Sequence, residues 1–110
     1  MVKGAFGLPF LHKEKYMLLI KSNIPVMSAV HESSKMKSMT CQIVVNGTSA
    51  KADIDGSLDG KTWINLAKLD AKVNADGYYT DGGIILTSWN FYRANLTETD
   101  GLASVYVSVS

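Results

Sequence analysis

Residues 52–63 read A-D-I-D-G-S-L-D-G-K-T-W, and they decide the fold class. Ala52 and Ile54 alternate with Asp53 and Asp55, the period-two pattern of a half-buried strand. Gly56 and the pair Asp59-Gly60 then supply turn residues, and the chain resumes at an aromatic anchor, Trp63. A strand, a tight turn and a second strand predict antiparallel all-β structure.

Outward on the N-terminal side, Asn46-Gly47 is a strong hairpin signal, since both residues tolerate the positive φ of a type I′ turn. A two-residue loop there pairs Ile43 with Ala50, Cys41 with Ala52 and Met39 with Ile54. The opposite face then collects Thr40, Gln42 and Val44 with Ser49, Lys51 and Asp53. Apolar side chains fall almost wholly on one side, and a one-residue slip would mix the faces. Cys41 is therefore expected as a buried small hydrophobe rather than a nucleophile.

On the C-terminal side, residues 67–76 alternate apolar at odd and polar at even positions, which favours a strand; Leu66, Leu69 and Val73 also suit one helical face. Asp76-Gly77 and Asp81-Gly82-Gly83 predict a loop around Tyr78-Tyr79, with a new apolar strand starting at Ile84. Asp100-Gly101 predicts a second hairpin, pairing Leu96 with Val105, Ala94 with Val107 and Tyr92 with Val109. That parity turns Trp89, Phe91, Arg93 and Tyr106 outward. Aromatic residues beside an arginine have the composition of an interface centre; the alternative is a second sheet covering this face.

Residues 1–12 are apolar but broken by Gly4, Gly7 and Pro9, which excludes a regular helix. They predict an extended arm that places Phe6, Leu8 and Phe10 in a neighbouring subunit, or else a first strand in the core. The expected division is an arm over 1–15 and a β-sandwich over 16–110. Tyr16 to Ile20 is a short strand, Pro25 ends it, and His31 to Lys37 is a polar connection.

Bulk properties bound the function. A chain of 110 residues makes one domain with enough buried surface to stand without a metal or disulfide. One cysteine forms no internal bridge. The run from Tyr16 to Ile20 is too short for a signal-peptide core or a membrane span, so the protein is expected to act without crossing a bilayer and with no membrane partner. A net charge of +1 argues against nucleic acid. The charge is uneven: seven lysines against Glu14 and Glu32 give +5 over residues 1–51, and four basic against eight acidic groups give −4 over 52–110. This asymmetry fits an ordinary solvated surface, or else a molecule whose two faces meet different partners or each other in a symmetric assembly.

Several chemistries are set aside. An EF-hand starting at Asp53 needs glutamate where Ile64 stands. His12 and His31 have no cysteine or second histidine at zinc spacing. The chain has no G-x-S-x-G elbow and no phosphate-binding glycine loop. A non-enzymatic binding protein without a cofactor is expected.

The stretch G-S-L-D-G-K-T-W-I-N-L (56–66), followed by F-Y-R-A-N-L-T (91–97) and the terminal V-Y-V-S-V, resembles a pattern of small β-sandwich proteins in tailed-phage virions. A related pattern occurs in discoidin-like carbohydrate-binding jelly rolls. The chain is most similar to the staple or cement type of capsid-decoration protein of short-tailed phages, a jelly roll seated on the shell between capsomers. That resemblance implies a single antiparallel, jelly-roll-like β-sandwich on the capsid outer surface. It implies the major capsid protein as partner, a homodimer on the shell, and stabilisation by bridging. Phe6, Leu8, Phe10, Trp89, Phe91, Arg93 and Tyr106 are the expected contact residues. The alternatives are a tail or fibre component, or a sugar-binding module using Tyr78, Tyr79 or Trp89 as stacking platforms.

Overall fold

A computed structural model of the chain describes residues 16–33 and 37–110. The expected arm, with Phe6, Leu8 and Phe10, lies outside the described residues. The rest is antiparallel β-structure: β1 (Met17–Ser22), β2 (Val26–Met27), β3 (His31–Glu32), β4 (Met39–Ser57), β5 (Ile64–Val73), β6 (Tyr79–Ile85) and β7 (Phe91–Val109). No helix occurs among the described residues.

Two strands of 19 residues, β4 and β7, pair along their whole length and form the spine. The lower half of this ribbon, residues 39–45 against 103–109, is flanked by β1 on one side and β6 on the other. The upper half, residues 50–57 against 91–99, is flanked by β2 and β3 on one side and by β5 on the other. The β5–β6 hairpin bridges the halves through Lys72↔Thr80 and Val73↔Tyr79. One continuous sheet thus folds over itself as a jelly-roll-like sandwich, with strands that change layer at bulges. The smallest dimension, 23 Å, fits two packed layers.

The core is a single cluster shared by both halves. Met39, Cys41, Ile43, Val105 and Val107 come from the lower half; Ala52, Ile54, Leu69, Tyr92 and Leu96 come from the upper. Each large aliphatic group contributes about 1.5–3 kcal/mol by leaving water. Cys41 is 1% exposed, its thiol donates to the Gly83 carbonyl at 3.5 Å, and burial pushes its ionisation upward. Iodoacetamide should therefore alkylate it slowly in the native protein and fully in urea; rapid alkylation of the folded chain would contradict this burial.

Both expected hairpins are corrected. Asn46-Gly47 and Asp100-Gly101 lie inside the long strands, directly opposite each other, with Gly47 paired to Gly101. Leu96 pairs with Ala52 and Val105 with Ile43, not with each other. The expected faces nevertheless hold, for a definite reason. Thr48 is an extra residue in β4 and Thr97 an extra residue in β7, where the register shifts. A bulge reverses the in-out alternation just as a two-residue loop does. Odd positions 39–45 and even positions 50–54 therefore share the core side under either topology.

The glycines serve close approach at this crossing. A Cβ on Gly47 would overlap the Asp100 carbonyl and stand 2.7 Å from the Gly101 Cα. Gly101 also has φ +120°, a left-handed value that favours glycine. Thr48 donates its hydroxyl to the Asp100 carboxylate across the same bend.

The loop expected through Asp81-Gly82-Gly83 is likewise strand, in β6, and Ile84 lies near its end. The turn is earlier: Asn74 accepts from the backbone N–H of Asp76 and Tyr78, and Gly77 has φ +85°. Residues 67–73 form a strand, with Leu69 and Ala71 facing the core as their parity predicts.

Candidate functional site

The sandwich has two outer faces of opposite character, fixed by the side chains that alternate with the core. On the upper half, Asp53 and Asp55 of β4 lie beside Asn95 and Arg93 of β7 and beside Lys68 and Asn65 of β5. These groups pair. Arg93 Nε meets Asp55 Oδ2 at 3.5 Å, Asn65 donates to Asp55 Oδ1 at 3.3 Å, and Lys68 reaches Asp53 at 3.5 Å. The Arg93 guanidinium also stacks on the Trp63 ring, 4.2 Å from its centroid. Arg93 and Asp55 side chains are 22% and 14% exposed, so the cation is held by a carboxylate on one side and an aromatic face on another.

The turn after β4 abuts this cluster. Asp59 Oδ1 accepts from the backbone N–H of Thr62 and Lys61, each at 2.8 Å, and from the Ser57 hydroxyl at 2.8 Å. Gly60, at φ +77°, donates to Ser57 Oγ and lies beneath the Phe91 ring. These bonds, led by those from Thr62 and Lys61, hold the Asp59 carboxyl well below the usual carboxylate range. Because the folded value is the lower one, the stabilisation is present above the ordinary carboxylate pKa and is lost as pH falls toward the folded value. In thermal melts, Asp59→Asn should lie below the parent at about pH 6, and the gap should narrow by about pH 3. A gap independent of pH would exclude the carboxylate as its source.

On the lower half the outer face carries Thr40, Gln42 and Val44 of β4, Ser104, Tyr106 and Ser108 of β7, Leu18 of β1, and Thr80, Gly82 and Ile84 of β6. Among the described residues on these strands, the one formal charge facing out is Lys21, opposite Ser104. Tyr16 meets Tyr106 edge to face, with centroids 5.8 Å apart. A shallow depression of about 330 Å³ is lined by these two tyrosines with Thr40, Gln42 and Ser108.

The expected contact residues are thus separated. Phe91 and Arg93 lie on the ion-paired face, and Tyr106 lies on the lower one. Trp89 precedes β7 and packs half-buried against the core over Gly56, with its indole N–H donated to Thr87 at 2.8 Å. It does not share the outward parity expected for it, because the strand begins two residues later. Trp63 and Asp55 were missed as partners of Arg93. The cross-strand register that joins Asp55 to Arg93 follows only once β4 and β7 are known to pair. Tyr78 and Tyr79 are exposed at the β5–β6 turn. Among the described residues, no three His, Cys, Asp or Glu side chains gather as a metal site.

No protein-family model matches the chain, and no curated protein matches it by sequence. Solved structures match it in fold. PBSX exported protein XepA superposes over 94% of this chain with a TM-score of 0.70 at 10% identity, and the chain spans 40% of that protein. SPBc2 prophage-derived protein YomS superposes over 86% of this chain and 91% of its own, with a TM-score of 0.62 at 10% identity. The module CBM32-3 from a family 31 glycoside hydrolase of Clostridium perfringens gives a TM-score of 0.43 at 15% identity over 91% of this chain and 94% of its own, too loose a superposition to bear on function.

Proposed function

We propose that the chain is a non-enzymatic structural protein of a phage particle, bound to the outer surface of the capsid, where it contacts the major capsid protein and bridges neighbouring subunits. The observation that carries this reading is the agreement in fold and length with a prophage-derived protein, YomS. The ion-paired upper face supplies the contact. Trp and Arg dominate binding hot spots when they are held in place before the partner arrives, and Trp63, Asp55 and Phe91 surround Arg93 in that way. Among the described residues, sixteen large apolar side chains are exposed, Ile64 and Leu86 among them, in keeping with life in an assembly.

Stabilisation follows from mass action. A protein that binds only the assembled shell stabilises it by about 2.7 kcal/mol per site at a hundredfold excess over Kd. Two contacts on one rigid sandwich resist separation of the subunits they join. Undecorated shells heated with the protein should rupture at a higher temperature, in a saturable way. An unchanged rupture temperature at saturating protein would contradict the stabilising role.

A further inference from the structure

The lower face, whose one outward charge among the described residues of its strands is Lys21, is distinct from the ion-paired face assigned to the shell contact. We infer that it is a binding site for a neutral saccharide, centred on Tyr106 and independent of the capsid reading. Three observations carry the inference together.

The first is the pair of rings. Tyr16 and Tyr106 stand at 75° to each other, so one can lie under a ligand while the other walls it. A pyranose has one face of C–H groups and a rim of hydroxyls, and an aromatic face removes the C–H side from water. The second is the polar lining. Thr40 and Ser108, paired across β4 and β7, each present a hydroxyl able to donate and accept. Gln42, opposite Tyr106, donates one amide N–H to Thr80 Oγ1 at 3.0 Å, and Thr80 is itself tied to the Ile43 carbonyl at 2.8 Å. The Gln42 amide is therefore oriented with its second N–H and its Oε1 left for a ligand. Gly82, opposite Gln42 on β6, adds no side chain and leaves the trough open on that side.

The third is charge. Asp81 Oδ2 accepts from the Asp70 backbone N–H at 2.8 Å and its Oδ1 from Gly82, so that carboxylate is used within the sheet. Among the described residues of these strands no carboxylate faces outward beside Tyr106 and the one outward charge is Lys21, opposite Ser104, so the trough suits an uncharged ligand better than an ionic one. A protein partner fits it less well, because serine is depleted at interface centres and larger apolar groups take its place. The size, about 330 Å³, matches the lower end of small-ligand clefts and accommodates one or two sugar rings.

The test uses the full chain on an array of neutral oligosaccharides (cello-, malto- and chito-oligomers and galactans) with polygalacturonate as the acidic control, followed by calorimetric titration of the best binder. The expected result is binding of a neutral oligomer. Tyr106→Ala and Gln42→Ala should each weaken it at least tenfold, while Tyr106→Phe stays within a few-fold and Asp53→Ala, on the other face, has no effect. Thermal melts of each variant separate lost binding from lost folding. Absence of any neutral binder, preference for polygalacturonate, or binding that survives both Tyr106→Ala and Gln42→Ala in folded protein would overturn the assignment. So would light scattering that shows a dimer dissociated by Tyr106→Ala. None of these outcomes changes the expected behaviour with shells.

Discussion

Gly47→Ala and Gly101→Ala should each lower the stability of the protein by about 2 kcal/mol or more in urea titrations. The cause is steric and local. Where the two long strands cross at their bend, a Cβ on either residue runs into the opposing backbone rather than into a movable side chain. Gly101 adds the strain of φ +120°. Gly83→Ala is the control: its Cβ would meet Cys41 Sγ at 3.9 Å, an ordinary contact, and the change should be near neutral. The double variant discriminates further. If the glycines sat in two separate hairpin turns, their costs would add. Facing each other at one crossing, they share the same displacement, and the pair should cost less than the sum. Strict additivity would contradict the continuous ribbon.

Arg93→Ala should weaken shell binding by about 2 kcal/mol, roughly thirtyfold in Kd. The side chain is held by Asp55 and Trp63 before any partner arrives, so little rotamer freedom is lost on contact. An exposed ion pair alone would be worth less than about 1 kcal/mol, so the expected loss comes mainly from the stacked, partly buried guanidinium. Arg93→Lys should recover little, since an ammonium lacks the planar surface that lies on Trp63. Folding should survive both changes, because Ala94 and Leu96, not Arg93, face the core. Binding unaffected by Arg93→Ala in folded protein would remove the upper face from the contact.

The sequence displayed the fold class and the core more fully than the topology. Alternation placed Met39, Cys41, Ile43, Ala52, Ile54, Leu96 and Val105 inside, and all are buried. It could not tell a hairpin from a bulge, because each shifts parity by one. Asn46-Gly47 and Asp100-Gly101 look like two turns when met separately. Only the long-range pairing of Gly47 with Gly101 shows them as one crossing, and no local signal encodes that. Gly82-Gly83 misled in the same way: the glycines in β6 keep the sheet low beside Gln42 and Cys41.

The site was legible residue by residue but not as a constellation. Arg93 and Phe91 stood out by composition and outward parity, and the structure keeps them on one face with Asp55 and Trp63. Tyr106 shared their apparent parity in the hairpin register. In the long ribbon, the bulge at Thr97 and the bend at Gly101 carry it to the opposite half, where its neighbours are Tyr16, Leu18 and Gln42.

Co-sedimentation of the purified protein with undecorated phage shells tests the central claim most directly. Saturable binding at a fixed copy number per shell, weakened by Arg93→Ala and unchanged by Tyr106→Phe, is the predicted result; no binding to intact shells at micromolar protein would contradict it.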